Sequence, residues 1–170
     1  MMDDLWLSIL GAAIIAALFD DPIITTDSGG WMYKGEQPYA VLIAQTEVQN
    51  GIPNRLLAAL LYQESRFRLD IISGATRSST GAMGIAQFMP ATAVEYLGSA
   101  ENALDPSKAI PGAGRYLKWL KGRLGSWRLA VIAYNWGIGN VQKQGIENLP
   151  AETTHYVSVV YDKLFSENQA

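Results

Sequence analysis

The pattern of hydrophobic and polar positions divides the chain into an apolar segment, a broken polar stretch and a long helical region. Residues 5–19 (LWLSILGAAIIAALF) carry no charge and lie between Asp3–Asp4 and Asp20–Asp21. As a helix they would extend roughly 22 Å at about 1.5 Å per residue, short of the ~20 residues usual for a bilayer span. The length suits a signal-peptide core, but no positive charge precedes it. The expectation is an apolar N-terminal helix (residues 1–19) that seeks a membrane, or is buried against a partner or its own domain. Residues 20–38 (DDPIITTDSGGWMYKGEQP) are rich in Gly, Pro, Asp and Thr and read as a linker or irregular arm.

From residue 39 onward apolar residues recur at helical spacing. The spacing predicts helices over 39–50, 53–65, 90–97, 106–124, 126–136 and 152–165. Gly51, Gly98, Gly125 and Gly137 stand at the expected stops, and prolines stand in three first turns. No stretch alternates well enough for a long strand. The fold class is therefore mainly α, with little or no β-sheet, in one domain over 39–165 followed by a tail at 166–170.

Composition narrows the chemistry. Hydrophobic residues make up 49% and charged residues 17%, enough to bury a core in 170 residues. The net charge of -3, without a basic run, argues against nucleic acid as a partner. There is no cysteine and a single histidine, His155. That excludes a zinc site of His and Cys and any thiol nucleophile, and no metal or other cofactor is expected. Catalysis must rest on carboxylates, hydroxyls and amides.

Leu57, Leu60, Leu61 and Glu64 are three and four residues apart and share one helix face. Glu64 is thus an acid at the C-terminal end of an apolar stripe. Desolvation and the negative end of the helix dipole both raise the pKa of such a group. A carboxylic acid protonated near neutrality can protonate a leaving oxygen. The same position also suits a structural glutamate paired with Arg66 or Arg68. Downstream, residues 78–90 (SSTGAMGIAQFMP) combine turn-forming glycines with the hydroxyls of Ser78 and Ser79, the amide of Gln87 and the soft surface of Met89. This mixture suits sugars, and equally a capped glycine turn. Asp70 is the nearest other carboxylate, and Asp105 before Pro106 reads as a helix N-cap.

Glu64-Ser65, then Gly81-Ala82-Met83-Gly84-Ile85-Ala86-Gln87-Phe88-Met89-Pro90, then Ala133-Tyr134-Asn135-Trp136-Gly137 resemble the three ordered motifs of the soluble lytic transglycosylase family. Asn50-Gly51-Ile52-Pro53, Ala103-Leu104-Asp105-Pro106, Tyr116-Leu117 and Leu149-Pro150 with Glu152-Thr153 and Tyr156-Val157 look similar too, so the resemblance covers residues 39–164. Two departures stand out: Trp136 replaces a usually small residue, and the stretch between Phe67 and Ser78 is a few residues longer than the common spacing.

The resemblance implies a lysozyme-like domain that cleaves peptidoglycan between N-acetylmuramic acid and N-acetylglucosamine, leaving 1,6-anhydromuramyl ends. Glu64 would act as acid and then as base. Ser78, Ser79, Gln87, Met89, Tyr134, Asn135 and Tyr156 would bind substrate or shape the site. From packing alone, Tyr134 and Tyr156 would be core and Asn135 a helix-end cap. The alternatives are a muramidase hydrolysing the same bond, and a non-catalytic glycan-binding scaffold of a virion or secretion system. The acidic N-terminus suggests a phage virion component acting in the host periplasm and cell wall, with residues 5–19 docking to membrane or virion proteins. The alternative setting is the bacterial periplasm or inner membrane, within a secretion or conjugation system.

Overall fold

The computed structural model describes residues 31–166 and the backbone of the short strand Ile23–Thr25. The apolar segment 5–19 and residues 167–170 lie outside the described residues. Strands β1 (Ile23–Thr25) and β2 (Trp31–Tyr33) pair antiparallel, with Ile23 opposite Tyr33 and Thr25 opposite Trp31. A 3₁₀ turn, Gln37–Tyr39, leads into α1 (Ala40–Asn50). There follow α2 (Leu56–Ser65), α3 (Leu69–Ile72), α4 (Pro90–Leu97), α5 (Pro106–Leu124), α6 (Trp127–Trp136), α7 (Ile138–Gln144) and α8 (Ala151–Val157). A π turn, Ser158–Asp162, carries α8 into α9 (Lys163–Ser166). The chain is mainly helical, as expected.

Local chemistry sets these boundaries. Helices α1, α4 and α5 end on left-handed glycines at Gly51, Gly98 and Gly125. Asp105 caps α5 by accepting from the Ser107 N–H at 2.9 Å, and Ser126 caps α6 by accepting from Leu129 N–H at 3.2 Å.

Helix α2 is the centre of the fold. Leu56, Leu57, Ala58, Leu60 and Leu61 are all fully buried, on every side of the helix and not on one stripe. It packs on α1 and on the π turn, while α5 packs against α1 and α6. The expected start at Pro53 is three residues early. Arg55 adopts a left-handed φ of 70°, and the buried carboxylate of Glu47 on α1 accepts from the backbone N–H groups of Arg55, Leu57 and Ala58. A side chain from another helix thus does the work of a local N-cap.

The stretch expected as a linker differs most. Glu36 is fully buried and receives both guanidinium nitrogens of Arg55 at 2.5 Å. The Arg55 guanidinium lies 4.5 Å over the Trp31 ring, and Tyr33 stacks on Tyr62 of α2 with centroids 4.5 Å apart. Residues 31–36 are therefore docked on the central helix. Apolar periodicity could not show this, because an ion pair and stacked rings hold them. Two short helices, α3 and α7, also went unpredicted; each has too few residues to show a period.

Candidate active site

The end of α2 is shaped by Ser65. Its buried hydroxyl donates to the Leu61 carbonyl at 3.1 Å and accepts from the Phe67 N–H at 3.2 Å. This holds Arg66 and Phe67 in left-handed backbone at φ 52° and 51°, a conformation costly for residues with side chains. The chain leaves the helix sharply, directly after Glu64.

Glu64 is half-buried, and its Oε1 accepts from the Tyr156 hydroxyl at 2.5 Å. Burial pushes its carboxyl up to about 7; the Tyr156 hydrogen bond opposes the shift, and the charge of Glu152 adds to it. Burial, then the charge of Glu64, drives the phenols of Tyr134 and Tyr156 well above their usual value. Both remain protonated donors at neutral pH. The ion-pair reading of Glu64 does not hold: Arg66 donates to Gln63 and lies over Tyr62, and Arg68 pairs with Asp70.

The glycine-rich segment forms a tight loop. Met83 and Phe88 exchange two backbone hydrogen bonds at 3.0 Å, and the turn closes through Gln87 at φ 48°. Gly84 is required here: at φ +73° its Cβ would stand 1.7 Å from the Ala103 carbonyl oxygen. Gln87 Nε2 donates to the Gly84 carbonyl at 2.8 Å, which orients its amide. The Tyr134 hydroxyl donates to the Ala86 carbonyl at 2.9 Å and fastens the loop to α6. An open pocket of about 270 Å³ follows, lined by Gln87, Met89, Tyr134 and Asn135 together with Tyr116 and Trp136. Asn135 Oδ1 also accepts from Thr153 at 2.9 Å, tying α6 to the helix that carries Tyr156.

Ser78 and Ser79 are placed differently. The Ser78 hydroxyl bonds with that of Thr80 at 2.8 Å and accepts the Thr80 N–H at 3.2 Å, while Ser79 is exposed. Among the described residues neither bonds to Glu64, whose partner is Tyr156. Asp70 is bound by Arg68 and by Thr76, which hold its carboxyl low, at about 2. Asp105 is occupied as the N-cap of α5. Sequence reasoning passed over Glu152 as a carboxylate near the acid. It also named Tyr116 only as part of a resembling segment, not as a wall of the pocket. Among the described residues no group of acids and His could hold a metal.

The fold and site define a helical, lysozyme-like domain with one half-buried acid, bonded to Tyr156, whose charge reaches the pocket wall at Tyr134. The chain belongs to the transglycosylase SLT domain family, which matches residues 36–156. It is 32% identical over 112 residues to a membrane-bound lytic murein transglycosylase F of Marinobacter nauticus, covering 61% of this chain and 21% of that protein. It is 37% identical over 97 residues to a transglycosylase of Enterobacteria phage PRD1, covering 56% of this chain and 33% of the phage protein. Among solved structures, an inactive mutant of lytic transglycosylase Slt from Pseudomonas aeruginosa superposes with a TM-score of 0.60 at 25% identity, over 72% of this chain and 22% of that one. The chain thus spans about a fifth of the length of the membrane-bound relative it matches.

Proposed function

We propose that this chain cleaves the MurNAc-β-1,4-GlcNAc bond of peptidoglycan by internal transfer, leaving 1,6-anhydromuramyl ends. The observation that carries the reading is the Glu64 carboxyl raised to about 7 by burial, its charge reaching Tyr134, which walls a pocket with Gln87 and Met89. A protonated Glu64 gives its proton to the glycosidic oxygen as the C1–O bond breaks. The resulting carboxylate takes the proton of the muramyl 6-hydroxyl as that oxygen bonds to C1. Glu64 ends as it began, so one carboxyl serves both half-steps. Tyr156 donates to the carboxylate between them.

Asp70 and Asp105, the carboxylates weighed from sequence, are held in other roles. Glu152 is the one whose charge reaches Glu64, so hydrolysis by a muramidase would have to use it. Digesting purified sacculi and weighing the products decides between them. Anhydromuropeptides are expected; reducing ends that vanish with Glu152→Gln would establish the muramidase instead. Glu64→Gln is expected to abolish lysis by about 10²-fold or more. Unchanged lysis would leave the non-catalytic scaffold as the remaining reading.

The similarity to the phage PRD1 transglycosylase supports a virion component that opens the wall locally for genome delivery. The membrane-bound relatives support the periplasmic face of the bacterial envelope as the other setting. Among the described residues no helix is long and apolar enough to cross a membrane. In either setting residues 5–19 would supply attachment. Removing residues 1–19 should abolish association with particles or membranes while leaving lysis intact; retained association would refute that role.

A further inference from the structure

Helix α5 has a charge imbalance that the cleavage reaction does not use. It carries Lys108, Arg115, Lys118, Lys121 and Arg123 and no acid, in a chain whose 16 acidic residues outnumber its 13 Lys and Arg. Arg115, Lys118, Trp119, Gly122 and Arg123 are exposed and recur at spacings of three and four, so they form one outer face. Trp119 is 38% exposed and has the Arg123 guanidinium 5.4 Å from its ring centroid. Among the described residues Lys118 and Arg123 enter no ion pair. Glu95 is the acid whose charge reaches Tyr96 and Tyr116 beneath this face.

The face is continuous with the pocket. Tyr116 lines the pocket wall, and Trp119 stacks on Tyr116 with centroids 6.1 Å apart and planes 21° apart. Gly122 lies one turn beyond Trp119. A Cβ there would meet nothing within 4 Å, so packing does not require a glycine, although glycine weakens a helix interior. The position is open surface on the same outer face as Trp119.

Resting on the glycan-cleaving function above, we propose that this face extends the groove and selects strands that still bear their stem peptides. The Trp119 ring would receive the apolar face of a sugar further along the strand. Lys118 and Arg123 would receive free carboxylates of the peptide attached to a muramyl lactyl group. A strand stripped of its peptides keeps one carboxylate per muramyl residue, on the lactyl group next to the ring, whereas each peptide carries several that extend away from the glycan. A peptide-bearing strand is an anion with apolar rings along it, which matches both components of the face.

The test uses the full chain with Glu64→Gln, so that binding is read without cleavage, and calorimetric titration with soluble strands before and after amidase removal of their peptides. Peptide-bearing strands should bind more tightly, and Lys118→Glu with Arg123→Glu should reduce that preference by about fivefold, less so at high salt. Trp119→Ala should weaken binding to both strands, and Trp119→Phe should restore most of it. Thermal unfolding checks that each surface variant is folded. A parent without preference for peptide-bearing strands, or a charge-reversed variant that keeps it, overturns the proposal. So does a variant that keeps the preference but loses binding to vesicles of phosphatidylethanolamine and phosphatidylglycerol, which would make the face a lipid-docking surface. Because the readout is binding, a failed selectivity result is distinct from a failed assignment of Glu64.

Discussion

The burial of Glu64 couples the proton it holds to the stability of the fold. Its carboxyl is raised from 4.5 to about 7 by burial, so the folded protein holds a proton that the unfolded chain releases. The associated stability is fully present below pH 4.5 and is lost as pH rises through 7, on the order of 3 kcal/mol in total. Glu64→Gln, which removes the titration, should flatten the fall in Tm between pH 5 and 7 and melt higher than the parent at pH 8. Calorimetric scans across that range check this, and equal melting curves would show that burial does not strain the acid. Activity should fall with the same ionisation, since the first step needs protonated Glu64, placing the alkaline limb of kcat/KM near pH 7. The Tyr156 hydroxyl opposes the upward shift, so Tyr156→Phe, which keeps the ring, should move that limb to higher pH. An unmoved limb would mean the bond does not act on the ionised acid.

At the scale of elements, the helix that carries Glu64 is held at its start from another helix and at its end by its own last residue. Glu47 caps its first turn from α1, and Ser65 fixes the left-handed exit. The loop over residues 83–88 is equally determined, because Gly84 approaches the Ala103 carbonyl closely and Tyr134 holds Ala86. Gly84→Ala should destabilise by at least about 2 kcal/mol, through both the backbone strain and the clash, and should depress lysis by displacing Gln87. Urea unfolding and turbidity clearing of sacculi measure the two effects. These elements also show what could be read from sequence. Helices α4, α5 and α6 were legible because proline or a polar cap opens each and glycine closes it. Of the residues the motif order named, Tyr156 bonds Glu64, and Gln87, Met89, Tyr134 and Asn135 line one pocket. Spacing could not show that Tyr116 walls the pocket or that the charge of Glu152 reaches the acid, because each depends on packing between distant segments.

For the whole molecule, the consequential relation is between the N-terminal arm and the helix that carries Glu64. From sequence, residues 20–38 read as a linker or irregular arm ahead of a domain that begins at residue 39. Instead Glu36 is sealed in the fold against Arg55, the residue just before α2, and Tyr33 stacks on Tyr62, two residues before Glu64. Whatever pulls on the N-terminus therefore pulls on the helix that carries the acid. Removing one partner of a buried ion pair leaves the other uncompensated, at a cost of roughly 3–5 kcal/mol. Glu36→Ala should accordingly lower stability by that order, and a chain beginning at residue 39 should lose the stacked rings as well. A chain beginning at residue 31 keeps Trp31, Tyr33 and Glu36 and should melt within a few degrees of the full protein. Comparing the two truncations by calorimetry, with lysis assayed below both melting temperatures, locates the true edge of the domain. Equal stability of the two would show the arm to be a passive tether after all. A lower Tm for the shorter chain alone would place the working domain boundary ahead of Trp31.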